Sequence, residues 1–416
     1  MNYVYGLVDM QSFYASCEMA SRPEYKDRRL EDDRTDPVLI VAGDPERRHG
    51  IVLACSQSAK RLGVSNAMRL GEALVHAPDA RVVKPRMQFY LDTSLQIQKV
   101  LRAMFPLQEQ FSIDESFFAF PYPSLLFDNP IDIAQRIRER IWDQFRIRCR
   151  IGMGPNKWIA KMTNAIAKKK SDGIEWWKQD EVIAKLHPLS VFEMWGLKRR
   201  AEHLYIRFGC QTIGDVANIP VANLRKAFGV WGEVIHRWSH GQDLSRIEPD
   251  TYDGELKGCS HRMTLPRDYE SREAVATVIL ELADEVCRRV RSKKQKGRRI
   301  GLSITYQGLT GGFHKAKTIQ LLTDQTKDIV PILLAILDKH WDLTPVRAVG
   351  VSLDILQVSD SIQLSLFDDE VKKHNLSRTV DQIQASFGET SIFRASSLSP
   401  HGQIHDRSKK IGGHYL

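Results

Sequence analysis

The sequence predicts a multi-domain α/β (α+β) protein, and three features of the chain carry that prediction. The chain has 416 residues, enough for several domains of ordinary size. Short apolar runs typical of strands alternate with longer stretches whose apolar residues recur at helical spacing. A stretch of helical patterns broken by glycine, residues 171–243, separates two such regions. We therefore expect an α/β part, a helical part and a second α/β part.

The first predicted strand ends at an acidic residue. Tyr3 to Val8 is apolar, aromatic and β-branched, which predicts a buried strand, and Asp9 follows at its carboxyl end. A carboxylate at that position points out of the core. For a single aspartate, an ordinary exposed strand end would be the usual explanation.

Residues 18–75 have the composition of a small inserted module. Charged, proline-containing turns surround two short apolar runs at 38–41 and 51–54, which predict two strands. The apolar residues from Arg86 to Phe105 then recur at helical spacing and predict a helix. Its predicted buried stripe consists of Phe89, Leu91, Leu95, Ile97, Val100, Leu101 and Met104.

A second acidic site lies in the segment SIDESFFAF. Asp114 and Glu115 stand beside an apolar strand, and because neighbouring strand residues point to opposite faces, a bend is required for both to face Asp9. Three carboxylates brought close together repel strongly, so the cluster predicts bound cations or raised pKa values. Mg²⁺ suits oxygen ligands and phosphate substrates.

A second helix is predicted over Ile131 to Phe145. Its predicted inward residues are Ile133, Ile137, Ile141 and Trp142, and its predicted outward residues are Arg136, Arg138 and Arg140. Farther on, two short helical patterns around WGLKRR are typical of a helix-hairpin-helix, whose backbone amides bind phosphates without reading bases. A plain helical bundle with glycine caps explains the same pattern equally well.

The second α/β part follows a polar linker at 244–256. Ser271 is a predicted cap of a long helix, and alternating apolar residues predict strands over 300–306 and 349–355. The helix ends in a basic run, which is either an ordinary solvated surface or a duplex-binding face sensitive to salt. That run contains Arg288, Arg289, Arg291, Lys293, Lys294, Lys296, Arg298 and Arg299.

Composition is consistent with a partner that carries phosphates. The chain has 60 lysine and arginine residues against 51 aspartate and glutamate residues, a formal net charge of +9. Six cysteines show no metal-binding spacing and predict reduced thiols in a cytoplasmic protein. The sequence shows no signal peptide and no apolar run long enough for a membrane span, so no membrane partner is expected.

Four segments resemble those of one enzyme family in order and spacing. DMQSFYASCE, ACSQSAKRLGV, SIDES and GMGPNKWIAKMTNAIAKKKSDGI are similar to the motifs of the Y-family translesion DNA polymerases, most closely the UmuC-like bacterial branch. The resemblance covers residues 1–367. It implies a right-hand polymerase with these parts: palm 1–17 and 76–170, fingers 18–75, helical thumb 171–243, linker 244–256 and α/β little finger 257–358.

The resemblance implies a role for each motif residue of the palm. Asp9, Asp114 and Glu115 would be catalytic ligands of two Mg²⁺ ions, with the Met10 carbonyl assisting, in the two-metal scheme of phosphoryl transfer. The nucleotide-binding residues it implies are Phe13, Tyr14 as the steric gate against ribose, Gln57, Lys60 and Lys168. At positions 57 and 60 many relatives carry tyrosine and arginine, so Lys60 lacks the bidentate guanidinium fork.

A pentapeptide near the end is similar to the segment with which bacterial DNA enzymes bind the sliding clamp. It consists of Gln363, Leu364, Ser365, Leu366 and Phe367, within a segment assigned to 359–370. A further strand is the alternative interpretation. Residues 371–416 contain one predicted helix at 379–387, and either fold back on the little finger or form a flexible arm for a regulatory accessory protein.

Two functions from different classes remain open on the sequence. The favoured one is a DNA-directed DNA polymerase that acts on primer-template DNA and dNTP with low fidelity. The alternative is a catalytically inert DNA- and clamp-binding factor in which Gln57 and Lys60 spoil turnover. A nucleotidyl cyclase also places acids on a palm-like sheet, but it needs neither a thumb nor a clamp peptide.

Overall fold

The computed structural model describes residues 3–44, 49–123, 129–249, 256–359, 370–411 and 414–415. The chain forms two compact units, Met1–Tyr252 with His414–Leu416, and Asp253–Gly413. Their division falls within the linker predicted at 244–256.

The described strands of the first unit begin with the one predicted at Tyr3. They are β1 Tyr3–Met10, β2 Leu39–Asp44, β3 His49–Cys55, β4 Arg81–Val83, β5 Leu107–Gln110, β6 Glu115–Pro121, β7 Cys149–Gly154 and β8 Ile174–Trp176. The described helices are α1 Phe13–Ala20, α2 Gln57–Arg61, α3 Leu70–His76, α4 Met87–Met104, α5 Pro130–Phe145, α6 Lys157–Ala167, α7 Val182–Leu186, α8 Arg199–Phe208, α9 Ile213–Ala217, α10 Val221–Phe228 and α11 Val230–Ser239.

Five strands in the order β5-β6-β1-β7-β8 form the main sheet of this unit. β1 is antiparallel to both β6 and β7, whereas β8 runs parallel to β7 after the crossover through α6. Because β8 belongs to this sheet, the sheet extends beyond the palm boundary predicted at residue 170.

Helix α6 lies directly on one face of the main sheet because β7 carries glycine there. Leu7 stands between Phe117 and Gly152 in the strand register, and these residues share a face. A Cβ atom at Gly152 would lie 2.1 Å from the backbone nitrogen of Asn164 in α6. Leu7 and Phe117 are buried together with Ala160 of the same helix. On the opposite face, Phe118 stacks on Phe105 at the end of α4, with ring centroids 4.5 Å apart.

A small sheet of order β3-β2-β4 forms a separate layer. β2 and β3 confirm the two strands predicted at 38–41 and 51–54. β4 pairs in parallel with β2, so the small sheet extends past the fingers boundary predicted at residue 75. The reason is that α3 carries the chain back alongside β2, a return that depends on tertiary packing.

The helical region is built around a shared apolar core with α6. Trp158 and Met162 of α6 are buried with Leu204, Leu224 and Ile235. Gly229, with a φ of 62°, joins α10 to α11. A Cβ atom at Gly232 would lie 2.3 Å from the Leu224 backbone, so the two helices pack closely.

The second unit contains an antiparallel sheet of order β11-β10-β12-β9. Its described strands are β9 Gly258–Tyr269, β10 Gln295–Tyr306, β11 Phe313–Thr323, β12 Val346–Asp354, β13 Gln357–Val358 and β14 Lys410–Ile411. Its described helices are α12 Arg272–Ser292, α13 Thr326–His340, α14 Glu370–Phe387 and α15 Ile404–Arg407. A final strand, β15 His414–Tyr415, lies at the end of the chain.

The predicted elements of the second unit are confirmed, but other elements, among them β9, β11 and α13, were not predicted. The Ser271 hydroxyl caps α12 by accepting a hydrogen bond from the Ala274 amide at 3.2 Å. Ile300, Leu302 and Ile304 of β10 are buried, as their alternation predicts. Strands β9 and β11 are largely exposed and polar, and α13 contains Pro331, so none of the three has a clear sequence pattern.

Two side-chain predictions for the helices are wrong. Leu95 is 54% exposed, because the buried face of α4 runs through Ser94 and Gln98, whose side chains are hydrogen-bonded inside. Arg138 is 4% exposed and pairs with Glu31 at 3.4 Å, so it does not face solvent. In both cases a polar partner outside the helix replaces an apolar contact.

The C-terminal segment folds back on α12 within the second unit. Asp381 of α14 accepts two hydrogen bonds from Arg291, at 2.7 and 2.8 Å. The Gln403 amide donates to Glu281 at 3.1 and 3.0 Å. The helix predicted at 379–387 begins earlier, at Glu370. Of the two alternatives for the tail, the structure has the docked one.

Among the residues described, no helix is both long enough and apolar enough to cross a membrane.

Candidate active site

The candidate site lies where one row of charged side chains crosses three neighbouring strands. In the strand register, Asp9 of β1 stands opposite Glu115 of β6 on one side and Arg150 of β7 on the other. Opposed residues of antiparallel strands share a face, so the three side chains stand side by side. This row lies two residues beyond the apolar row that α6 covers.

Asp114 reaches the same pocket because the chain bends just before β6. The amides of Phe111 and Ser112 both donate to the Glu115 carbonyl, at 3.0 and 3.1 Å, and the Met10 amide donates to the Asp114 carbonyl at 2.9 Å. The Ser112 hydroxyl donates to Asp114 Oδ1 at 2.7 Å. The bend that strand alternation demanded is therefore present.

Two lysines of the α6 segment neutralise the carboxylates of the row. Lys168 Nζ donates to Asp9 Oδ2 at 2.6 Å, and Lys161 Nζ donates to Glu115 Oε1. Lys161 was not predicted, although its spacing of two helical turns from Lys168 places it on the same side of the helix.

The two carboxyl groups of the row have opposite pKa shifts. Burial, followed by hydrogen bonding to Glu115, raises the pKa of Asp9 from 3.8 to about 7, although Lys168 opposes the change. Burial also acts to raise the pKa of Glu115, but hydrogen bonds to Asp9 and Lys161 leave it below its usual value. In the metal-free protein, the pair therefore carries its proton on Asp9 below about pH 7.

The donor set fits divalent cations by its chemistry. In the stretches that the structure describes, no three acidic, histidine or cysteine side chains converge tightly enough to hold an ion. Asp9 and Glu115 adjoin each other, whereas the Asp114 carboxylate is bonded to Ser112. The predicted convergence is thus complete for two of the three residues. Divalent cations such as Mg²⁺ bind hard carboxylate oxygens. A bound cation would also displace the proton that burial keeps on Asp9.

The ring of Tyr14 is held by a second tyrosine. Tyr14 stacks on Tyr90, with centroids 4.6 Å apart and planes 14° apart. The Tyr90 hydroxyl donates to Glu18 at 2.7 Å, and Arg86 donates to both oxygens of Glu18 at 3.0 Å. Phe13 is buried beside Tyr14 at the start of α1. The aromatic ring is thereby fixed at the pocket wall.

The small sheet and its loops supply the opposite wall. Gln57 donates to the Ser12 hydroxyl at 3.1 Å, and Lys60 lines the pocket. Asp33, which the sequence analysis did not select, also lines it and accepts a hydrogen bond from Arg61 at 2.7 Å.

The walls enclose a pocket of about 530 Å³ that collects most of the predicted site. It brings together Asp9, Met10, Phe13, Tyr14, Gln57, Lys60, Asp114, Glu115 and Lys168, and it adds Ser12, Asp33, Asn66 and Arg150. Asp33 and Arg150 gave no sequence signal, because their places depend on chain segments far apart.

The basic run is divided between two environments. Arg288, Arg289 and Arg291 form ion pairs with Glu285, Glu389 or Asp381 inside the second unit, and Lys296 is buried. Of these four residues, Arg289 alone is exposed. The other exposed members are Lys293, Lys294, Arg298 and Arg299. The pentapeptide Gln363 to Phe367 lies outside the described residues.

Comparison with known proteins agrees with this geometry. Residues 8–165 match the impB/mucB/samB family, and residues 256–366 match the C-terminal domain of that family. The chain is 41% identical over 413 residues to the Bacillus subtilis (strain 168) protein named DNA polymerase IV 2, with 98% of both chains covered. This chain is a Y-family DNA polymerase. The predicted family and the class of DNA-directed DNA polymerase are confirmed.

Other relatives of this polymerase carry the same type of name. The Halalkalibacterium halodurans DNA polymerase IV 2 is 37% identical over 418 residues, with 100% of both chains covered. A solved Y-family polymerase chimera of Dbh and Dpo4 superposes with a TM-score of 0.67 at 24% identity, covering 86% of this chain and 100% of that one. The structural likeness confirms the multi-domain α/β fold.

Asp9→Asn should stabilise the metal-free polymerase, and the gain should grow with pH. Because the pKa of Asp9 is raised to about 7, the folded state keeps a proton that the unfolded state has lost above about pH 4. Asp9 therefore costs stability increasingly as pH rises through that window, with no further cost above it. Denaturant unfolding in EDTA should show a gain of roughly 4 kcal/mol at pH 8 and roughly a third of that at pH 5.

Asp143→Asn, at an exposed position of α5, is the matched control and should show no such pH dependence. A gain from Asp9→Asn that is equal at pH 5 and pH 8 would contradict the raised pKa.

Proposed function

We propose that this polymerase performs translesion synthesis, transferring dNMP from a dNTP to a primer 3′-hydroxyl with two divalent cations, Mg²⁺ in the cell, and with low fidelity. The observation that carries the proposal is the pocket in which Asp9, Glu115 and Asp114 face Tyr14 and Lys168. Bound ions would lower the pKa of the primer hydroxyl and neutralise phosphate charge.

The residues of the chain prepare the pocket for a highly charged substrate. Lys168 and Lys161 hold the two carboxylates of the row in place while no cation is bound. Lys168 is half exposed at its side chain, so it can turn from Asp9 to a phosphate without a large desolvation cost. Lys60 of α2 adds a point charge to the pocket.

Tyr14 suits the role of a gate against ribose. Its ring lies at the pocket wall and is backed by Tyr90, so it cannot retreat from an added hydroxyl without breaking the stack. Glu18 holds the backing tyrosine through a buried hydrogen bond. A rigid ring excludes a 2′-hydroxyl by contact, whereas a mobile one would yield.

Duplex contacts are proposed for the exposed basic residues of the second unit. Arg299 lies on the face of β10 opposite the buried Ile300 and Leu302, where the sheet is not covered by α12. Together with Arg289, Arg298, Lys293 and Lys294 it would contact phosphates, which hold a duplex without reading its sequence.

Partners beyond DNA and dNTP rest on the sequence. We propose that Gln363–Phe367 binds the sliding clamp through Leu366 and Phe367. A role in the SOS response to DNA damage, a regulatory accessory protein and a cytoplasmic location belong to the same proposal.

Asp114→Asn should abolish most primer extension on both undamaged and abasic templates. The lost carboxylate would no longer help to hold the cations that stabilise the transition state of phosphoryl transfer. The rate of single-nucleotide insertion should therefore fall at least about a hundredfold. The measurement is gel-resolved extension with Mg²⁺ under single-turnover conditions. Asp143→Asn, outside the pocket, should insert nucleotides at the parent rate.

Equal insertion by Asp114→Asn and the parent would place the chemistry elsewhere. A parent protein that binds the duplex but inserts nothing with Mg²⁺ or Mn²⁺ would instead support the inert DNA-binding factor.

Tyr14→Ala should raise ribonucleotide insertion relative to deoxyribonucleotide insertion by roughly tenfold or more, because the ring no longer blocks the 2′-hydroxyl. Tyr14→Phe keeps the ring on Tyr90 and should retain the parent ratio. Ratios of kcat/KM for one ribonucleotide and its deoxy counterpart measure the effect. An unchanged ratio in Tyr14→Ala would remove Tyr14 from the gate role.

A further inference from the structure

Arg150 occupies the end of the charged row on the side of Asp9 away from Glu115. The residue is 9% exposed, yet it lines the active-site pocket. Its guanidinium extends over Gly173, where a Cβ atom would lie 2.7 Å from Arg150 Nη1. Gly173 has a φ of 64°, a conformation that favours glycine, so the backbone leaves room for the guanidinium.

The charge of Arg150 is poorly compensated within the protein. Among the described residues, Asp33 is the carboxylate within ion-pair range, and it lies 4.0 Å from Arg150 Nη2. Asp33 is already engaged by Arg61, whose Nη1 lies 2.7 Å from Oδ1. Burial, followed by the nearby Arg138, lowers the pKa of Arg150, which is consistent with an uncompensated cation. A buried guanidinium that stays charged requires an anion close by.

The carboxylates of the row do not supply that anion. Asp9 is bonded to Lys168 and Glu115 to Lys161, so each has a cation of its own. The remaining space in front of Arg150 is the pocket. An anion entering the pocket is therefore the partner that the guanidinium lacks.

We infer that Arg150 binds the terminal phosphate of the incoming dNTP, an inference that rests on the proposed function. The reacting phosphate has to lie beside Asp9, Asp114 and Glu115, and in this proposal the phosphates remote from the primer extend past Asp9 toward Arg150. Neighbouring strands are about 4.8 Å apart, which puts Arg150 within reach of that end. A planar guanidinium binds two phosphate oxygens at once.

Arg150 thereby supplies a bidentate fork that Lys60 cannot supply. Lys60, which lies on α2 and lines the same pocket, is a point charge. In this chain the guanidinium comes from the palm strand β7 instead, on the opposite side of the phosphates.

The test is a thermodynamic cycle that removes the Arg150 side chain, the terminal phosphate, or both, and compares the binding constants. Dissociation constants for the correct dNTP and dNDP are measured in complexes with a dideoxy-terminated primer, which prevents transfer. Arg150→Met should weaken dNTP binding by roughly ten- to a hundredfold and dNDP binding little, so that the preference for dNTP nearly disappears. Arg150→Lys should keep part of the preference.

Arg61→Met is the matched control, because it removes the other guanidinium from Asp33 and should leave the preference unchanged. Equal weakening of both nucleotides by Arg150→Met, or no weakening, would overturn the inference and leave Arg150 as a tie to Asp33. If Arg150→Met unfolds at a lower temperature, the preference of Arg150→Lys decides, and a full parent preference there overturns the guanidinium role. A parent that binds neither nucleotide would remove the proposed function itself.

Discussion

The close contact between α6 and the glycine-bearing face of the main sheet brings the lysines of the α6 segment onto the carboxylates of the active site. Gly152 lets the helix backbone approach to a distance that any side chain would prevent. The helix covers the apolar row of Leu7 and Phe117 and leaves the next row open. Lys161 and Lys168 project from the same segment onto the carboxylates of that row. The packing of α6 on the sheet therefore also sets the charge pairs of the site.

The resting site is a balanced set of charges that a substrate and its cations would rearrange. Lysines occupy the carboxylates, Ser112 holds Asp114, and Arg150 faces the pocket with a distant partner. Each of these contacts can be broken at low cost in free energy, because a bound cation or phosphate would give the same side chain a new partner. The raised pKa of Asp9 belongs to the same balance of charges, because burial penalises a second negative charge beside Glu115.

Much of the site could be predicted because its residues lie at ends of elements with strong local patterns. Asp9 ends an apolar strand and Asp114 precedes one, whereas Lys168 was expected only from the family resemblance. The polar contacts across the fold could not be predicted. Arg138 was expected in solvent and is buried against Glu31, and Arg291 was expected to contact DNA and is bound to Asp381. Strand register alone places Arg150 beside Asp9, and a single sequence does not contain that register.

The same distinction holds for the fold. α12 and β10 carry a cap and a clean alternation, and they were predicted. β11 has a polar, exposed pattern typical of an edge strand, and α13 contains a proline, so local sequence misled. The boundaries of the small sheet were misplaced for a related reason, since β4 joins it through pairing with a distant strand.

The most direct test of the account is the position of bound cations. Crystals of the polymerase with primer-template DNA, a dNTP and Mn²⁺ should show two anomalous-scattering peaks between Asp9, Asp114 and Glu115, with Lys168 no longer on Asp9. Peaks elsewhere, or a site in which Lys168 and Lys161 still hold the carboxylates and no cation is present, would contradict the claim that these three acids share the catalytic ions.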